Sequence, residues 1–271
     1  MKTDRINGSA GGNMSMKKAI LLVSSGTSVL EALENTTNKL EKRLQEQYED
    51  YKVYQAFSVQ PIVNMMQKKC PDTYFNVKDM LEKMLADGVE ELAVLPFYML
   101  KGTENERMHE VLKDYADKFK SLVVAKPLFH VKEDYIKTLE AIFDVADMQE
   151  GEALMLVGHG TKHHDNTEYQ NLEYTAYTQG RRNVFVATLE GHQKTNLLMR
   201  KLELSGCKTV RLMPLLLVIG KHATVDIAGD EDSWKTKLLD AGYQVEVQMV
   251  GLGELDSIHD IFVEHLNAVI K

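Results

Sequence analysis

Cysteine is nearly absent from the 271 residues: Cys70 and Cys207 are the only two. They form no metal-ligand spacing and read as two reduced thiols of a cytoplasmic protein rather than a disulfide framework. No apolar run reaches the ~18 residues of a membrane span. The opening stretch, MKTDRINGSAGGNMSMKKAI, lacks an apolar core of signal-peptide length, so neither membrane insertion nor export is expected. An excess of positive charge is also missing. Lys and Arg number 32 against 40 Asp and Glu, a formal net charge of −8, which argues against nucleic acid or an anionic membrane as partner. With 44% hydrophobic and 27% charged residues, the remainder is an ordinary globular composition, compatible with a homo-oligomer. The Gly, Ser and Asn of residues 1–15 suggest a disordered arm, with folding from Met16.

What is present is alternation. KAILLVSSGTS (18–28) reads as a buried strand entering a Gly/Ser turn, and 29–47 has the helical period of Leu30, Leu33, Leu40 and Leu44. Strands follow at 52–58, 91–100 and 122–128, with helices at 76–87, 104–119 and 132–146. The second half repeats the order, with strands at 152–161, 183–191, 209–220 and 244–253. Its helices run from the first turn to Thr178, then at 193–204, 230–240 and 255–270. Alternating strands and helices imply parallel sheets covered on both faces. The expected fold is α/β: two similar parallel-sheet halves, 16–147 and 148–271, facing across a cleft. LLVSSGTS matches LMLVGHGT, VYQAFS matches VFVATL, and VLPFYMLKG matches LMPLLLVIG, with Pro96 over Pro214 and Gly102 over Gly220.

In open parallel sheets, ligands bind beyond the carboxyl ends of the strands. There the first half offers Ser24, Ser25, Thr27, Ser28 and Ser58, then Glu104. The second half offers His159, Glu190 and His222, one after each of its first three strands. Two imidazoles and a carboxylate suit a borderline divalent ion such as Co²⁺, Fe²⁺, Ni²⁺ or Zn²⁺, while strand-end histidines can equally be polar caps to a core. His163, His164 and His192 are weaker candidates, and His109, His130, His259 and His265 read as surface residues. Gly158 and Gly160 leave room for a flat ligand against the backbone or for a tight turn. The single Trp, Trp234, suits a domain interface better than a ligand stack, and Asp230, Glu231 and Asp232 suit a helix N-terminus electrostatically.

At GHGTKHHDNTEY (158–169), TLEG (188–191), PLLLVIGKHATVDIAGDEDSWK (214–235) and GLGE (251–254), with VSSGTS (23–28) and AFS (56–58), the chain resembles the anaerobic cobalt chelatases of cobalamin biosynthesis. These are class II chelatases that share a fold with ferrochelatase. The resemblance runs from Met16 onward. It implies a cleft in which His159, Glu190 and His222 face one another as metal ligands, with His159 and Glu190 catalytic. Leu189 stands where valine is usual, Ser25 where phenylalanine is usual, and Lys221 where an acidic residue is expected. The fold it implies would also pack the last helix, 255–270, on the opposite half.

The implied reaction inserts a divalent ion into sirohydrochlorin, with Co²⁺ as substrate (Fe²⁺, Ni²⁺ or Zn²⁺ as alternatives) and no tightly bound cofactor. Imidazole and carboxylate hold such an ion less firmly than thiolates would, and neutral histidine can accept a pyrrole proton. Glu190 would offset the ion's charge and relay a proton. The tetrapyrrole is rich in carboxylates, so local cations must outweigh the net charge; Lys101, Lys162, Arg181, Arg182 and Lys221 are the candidates. Ser24, Ser25, Thr27, Ser58, Lys101 and Lys221 form the expected substrate-binding set. A ferrochelatase or nickel chelatase and a non-catalytic tetrapyrrole or metal carrier are the alternative readings. A hydrolase using SSGTS lacks the G-x-S-x-G elbow.

Overall fold

A computed structural model describes residues 17–190 and 195–270. The first half runs β1 (Lys18–Ser24), α1 (Leu30–Asn35), α2 (Thr37–Gln47), β2 (Tyr51–Phe57), α3 (Gln60–Lys69), α4 (Val77–Ala86), β3 (Glu91–Phe97), α5 (Thr103–Lys113), β4 (Ser121–Val124) and α6 (Lys132–Ala146). The second runs β5 (Ala153–Gly158), α7 (Thr167–Thr178), β6 (Val184–Thr188), α8 (Thr195–Ser205), β7 (Thr209–Leu215), a π-helical turn (His222–Ile227), α9 (Trp234–Asp240), β8 (Gln244–Val247) and α10 (Asp256–Asn267). The sheet orders are β2-β1-β3-β4 and β6-β5-β7-β8, all parallel and topologically identical. The expected arm at 1–15 and His192 lie outside the described residues.

The halves correspond in register as well as in order. Pro96 pairs with Val23 of β1, and Pro214 with Val157 of β5. Both prolines lie two residues past the end of the edge-strand pairing, which stops at Val94 and at Leu212. A residue without an N–H is tolerated there because that side of the strand has no partner left to serve.

Ala19–Val23 of β1 and Ala153–Val157 of β5 are apolar throughout because both faces of these strands are covered. Ile20 and Leu22 of β1, with Leu154 and Leu156 of β5, enter one core shared by the two halves, together with Leu139 and Ile142 of α6 and Ile258, Ile261 and Phe262 of α10. Ala19, Leu21 and Val23 face the other way into an outer core of the first half. Ala153, Met155 and Val157 do the same in the second. Helix α10 crosses to the first half. Arg43 and Lys39 of α2 pair with Asp260 (2.5 Å) and Asp256 (2.9 Å), and Tyr48 donates to Asn267 (2.7 Å).

Several elements differ from the sequence expectation. The single helix expected at 29–47 is two, broken at Thr36, whose hydroxyl donates to the Ala32 carbonyl and whose φ of −121° is not helical. Helix α3 was not expected; only Val63 and Met66 of it are buried, too few to show a period. Helix 104–119 ends at Lys113, with a separate 3₁₀ turn at Ala116–Lys118. Strand 122–128 stops at Val124, short of Pro127. The helix expected at 230–240 starts only at Trp234, where Ser233 Oγ accepts the Thr236 N–H as its cap. Trp234 is buried in the outer core of the second half beside Ile227 and Leu238, not at the interface between halves, because the cap turns the ring inward onto that half's own sheet.

Candidate active site

The apolar strand β5 ends at Gly158, and its glycines have separate jobs. A Cβ at Gly158 would stand 2.3 Å from the Tyr169 ring, so glycine there lets that ring lie flat on the backbone. Gly160 has φ +77°, and a Cβ on it would stand 2.0 Å from the Glu190 carbonyl oxygen. Both glycines are thus required by the protein's own packing. The Tyr169 hydroxyl accepts a long hydrogen bond from the Gly160 N–H (3.4 Å), and burial pushes its phenol up to about 12.

Between them, His159 is carried past the strand tip. Main-chain pairing continues beyond β5 and β6: Leu189 N–H donates to Gly158 (3.0 Å) and Glu190 N–H to the His159 carbonyl (2.8 Å). His159 Nδ1 lies 3.1 Å from the Gly160 carbonyl, which can only accept, so Nδ1 carries the proton and Nε2 keeps its lone pair.

His222 opens the π-helical turn after β7, an irregularity that often marks a functional position. Its Nδ1 donates to Asp226 Oδ2 at 2.6 Å, which leaves Nε2 as the ring atom available to a metal, in the carboxylate–histidine pattern usual behind a metal ligand. The two rings meet edge to face, centroids 4.6 Å apart and planes at 89°. The structure therefore brings together two of the three expected ligands, each with Nδ1 engaged by an acceptor. Glu190 is fixed by its backbone while its side chain is exposed. The donor atoms of His159, Glu190 and His222 are not gathered within 4.8 Å of one another.

On the first half, Ser24 and Thr27 are buried, and their hydroxyls accept the N–H of Gly26 (3.2 Å) and Val29 (3.2 Å), so both shape the loop. Ser25 is half-buried beside them, at the position matching His159. Lys101, Lys162 and Lys221 are exposed after β3, β5 and β7. Arg181 and Arg182 are corrected: they precede β6, at the opposite edge of the sheet, where Arg181 stacks on Phe143 at 3.6 Å.

Two of the strand-tip candidates, Ser58 and Glu104, are joined by a residue the sequence did not single out, Tyr98. Ser58 Oγ, Tyr98 OH and Glu104 Oε2 are buried at the tips of β2 and β3, where burial pushes the Tyr98 phenol up and the neighbouring Ser58 hydroxyl opposes that shift. Glu104 stands two residues after Gly102, as His222 stands two after Gly220, so the internal repeat places it at the position matching His222. His259, expected at the surface, is fully buried. Its Nε2 donates to the Gly253 carbonyl (2.7 Å), and burial holds it below its ordinary value. That bond fastens GLGE, where Gly253 passes so close to Leu217 and Phe97 that a Cβ would stand 2.6 Å from one and 2.8 Å from the other.

Two like α/β halves, each a four-stranded parallel sheet, form the chelatase fold. SirB from Bacillus subtilis with Fe³⁺ superposes at a TM-score of 0.66 with 17% identity, over 93% of this chain and 94% of that one. SirB from Bacillus subtilis subspecies spizizenii in complex with cobalt gives 0.61 with 14% identity, over the same shares. The chain belongs to the cobalt chelatase (CbiK) family, whose sequence model matches residues 18–271. The sirohydrochlorin cobaltochelatase of Salmonella typhimurium is 29% identical over 258 residues, covering 94% of this chain and 97% of that protein. The sirohydrochlorin cobaltochelatase CbiKC of Nitratidesulfovibrio vulgaris is 28% identical over 262 residues, covering 94% and 91%.

Proposed function

We propose that this chain inserts Co²⁺ into sirohydrochlorin, with the ion and the tetrapyrrole both as substrates. The observation that carries the reading is the His159–His222 pair, two imidazoles with centroids 4.6 Å apart whose Nδ1 atoms are engaged and whose Nε2 atoms are left for a ligand, in a member of the cobalt chelatase family. His159 and His222 hold the ion through nitrogen, firmly enough to capture it and loosely enough to pass it on. The side chain of Glu190 swings from its fixed backbone to supply charge to the ion. His159, at the strand tip, accepts a proton from the macrocycle. Ser25, Ser58, Lys101 and Lys221 line the carboxyl edges where the substrate's acidic side chains would rest, with Ser24 and Thr27 shaping the loop beneath. No helix among the described residues is long and apolar enough to cross a membrane, in keeping with a cytoplasmic enzyme.

The test is an absorbance assay of the purified chain with excess sirohydrochlorin and Co²⁺, Fe²⁺, Ni²⁺ or no metal. Repeated turnover that is fastest with Co²⁺ is expected. Conversion that stops at one equivalent would make the chain a carrier. His159→Ala should abolish turnover, His222→Ala should be partly rescued by excess Co²⁺, and Glu190→Gln should slow turnover while the macrocycle still binds. Near-normal turnover in His159→Ala would place the chemistry elsewhere.

A further inference from the structure

Four residues past His159, the chain carries a second group of metal-binding side chains that the chelation site does not use. Donor atoms of His163, His164 and Asp165 lie within 4.8 Å of one another, the one such group of three among the described residues. His164 Nε2 is 3.1 Å from Asp165 Oδ1, and His163 Nδ1 is 3.6 Å from Asp165 Oδ2. The imidazoles overlap, with centroids 3.9 Å apart. Four ligands at 2.0–2.2 Å around a tetrahedral ion stand about 3.3–3.6 Å from each other, so each histidine's spacing to the Asp165 carboxylate is near what an ion demands, and small side-chain rotations would bring the three donors, already within 4.8 Å, onto one ion.

The backbone holds the group in shape. Asn166 Oδ1 accepts the Thr161 N–H (2.9 Å), and Thr161 Oγ1 accepts the His163 N–H (3.1 Å), closing the loop ahead of the 3₁₀ turn His164–Asn166. His163 is further oriented from outside its own half. Glu106, on α5 of the first half, lies with Oε1 3.0 Å from His163 Nε2. A carboxylate only accepts, so Nε2 carries the proton and Nδ1 presents its lone pair toward Asp165, where it accepts the Asp165 N–H (3.2 Å), a bond that an ion would replace. A carboxylate fixing the far nitrogen of a histidine is how ligating imidazoles are oriented in metal sites. The side chains of His163 and Asp165 are 13% and 15% exposed while that of His164 is 81% exposed, so the group is rooted on one side and open to solvent on the other.

We propose that His163, His164 and Asp165 form a second divalent-cation site, distinct from the His159–His222 pair and oriented by Glu106 from the opposite half. Two nitrogens and one carboxylate oxygen, with a position open to water, select a borderline ion such as Co²⁺ or Zn²⁺ over Mg²⁺ or Ca²⁺. Because its orienting carboxylate belongs to the other half, the bound ion stiffens the contact between halves beside the cleft. The inference does not depend on the chelation reaction.

The experiment is equilibrium dialysis of the untagged full chain against Co²⁺ alone, counting ions per chain, with thermal unfolding in parallel. The wild type should bind two ions. His164→Ala, at an exposed side chain, should bind one, and His159→Ala should also bind one, retaining the other ion. Glu106→Gln should keep both ions but weaken one about 10–100-fold. Addition of Co²⁺ should raise the unfolding temperature of the wild type more than that of His164→Ala. A wild type that binds a single ion, lost in His159→Ala and kept in His164→Ala, overturns the second site while leaving the first intact. An undiminished count of two in both His164→Ala and Asp165→Asn overturns it as well.

Discussion

Replacing Gly160 with alanine separates two demands the fold makes at one atom. An L residue held at the positive φ of this position pays about 1–2 kcal/mol from the contact of its Cβ with the carbonyl oxygen. The new methyl also meets the Glu190 carbonyl oxygen at 2.0 Å and Thr188 Cβ at 2.8 Å, neither of them the movable end of a side chain. Forcing backbone apart in a filled site costs about 1–3 kcal/mol more. Gly160→Ala should therefore lose about 2–5 kcal/mol in all. Gly206→Ala is the control: φ is +74° there, but nothing stands within 4 Å of an added Cβ, so only the first cost of about 1–2 kcal/mol applies. Urea unfolding followed by emission of Trp234, buried in the same half, reads both. The strain falls between the backbones that carry His159 and Glu190. The insertion rate of still-folded Gly160→Ala should fall steeply, since a displacement of about 1 Å at reacting groups can cost ~10²-fold. Equal midpoint shifts for the two alanine variants would refute the steric argument.

His259 gives a pH dependence. Burial holds its imidazole below the ordinary 6.5, so as pH falls through that value the unfolded chain takes up a proton the folded chain refuses. Stability should drop across the window below 6.5, and His259→Gln should flatten the slope of urea midpoint against pH; parallel slopes in the two proteins would exclude it. Arg211 and Glu152 form an ion pair whose side chains are only 8% and 11% exposed. Removing one partner strands a buried charge, so Arg211→Ala should cost about 3–5 kcal/mol of unfolding free energy, and a loss below about 1 kcal/mol would show the pair to be solvated. Asp226→Asn keeps the shape behind His222 but weakens the bond that fixes its tautomer, so Co²⁺ affinity at the His159–His222 pair should fall about 10–100-fold with the fold intact by circular dichroism; unchanged affinity would remove Asp226 from that role.

The repeated α/β plan could be read from residues because each central strand is buried on both faces, and an uninterrupted apolar run ending in glycine has few other meanings. That His159 and His222 would lie near each other was legible because both follow neighbouring strands of one sheet, at the carboxyl ends where ligands bind in open parallel sheets. The breaks were harder to see. Thr36 divides a helix through a hydroxyl bond to the preceding turn, which leaves the Leu30, Leu33, Leu40 and Leu44 period unbroken. The π-helical turn at His222 rests on backbone bonds such as Ala228 N–H to the Ala223 carbonyl (3.0 Å), for which no residue type is diagnostic. Trp234 and His259 were misplaced for a shared reason: burial of an amphipathic ring depends on which sheet its helix lands against, a fact of tertiary docking. Glu104 was visible only as one of several polar residues, until the packing left its oxygen buried and unpaired.

The return of α10 to the first half has a consequence for how such a protein could have been assembled from a repeated unit. Were the gene cut between α6 and β5, the first product would lack Ile258, Ile261 and Phe262 from its core, and the second would carry a helix whose Asp260 and Asp256 find their partners on the other chain. Each product would be an incomplete object with a matching donor and acceptor surface, and the two should reassociate by helix exchange rather than by simple face-to-face contact. A chain descended from two independently folding units would have had no need of such an arm. With that arm in place the halves are not separable, so a change in the core of either one is felt by the other.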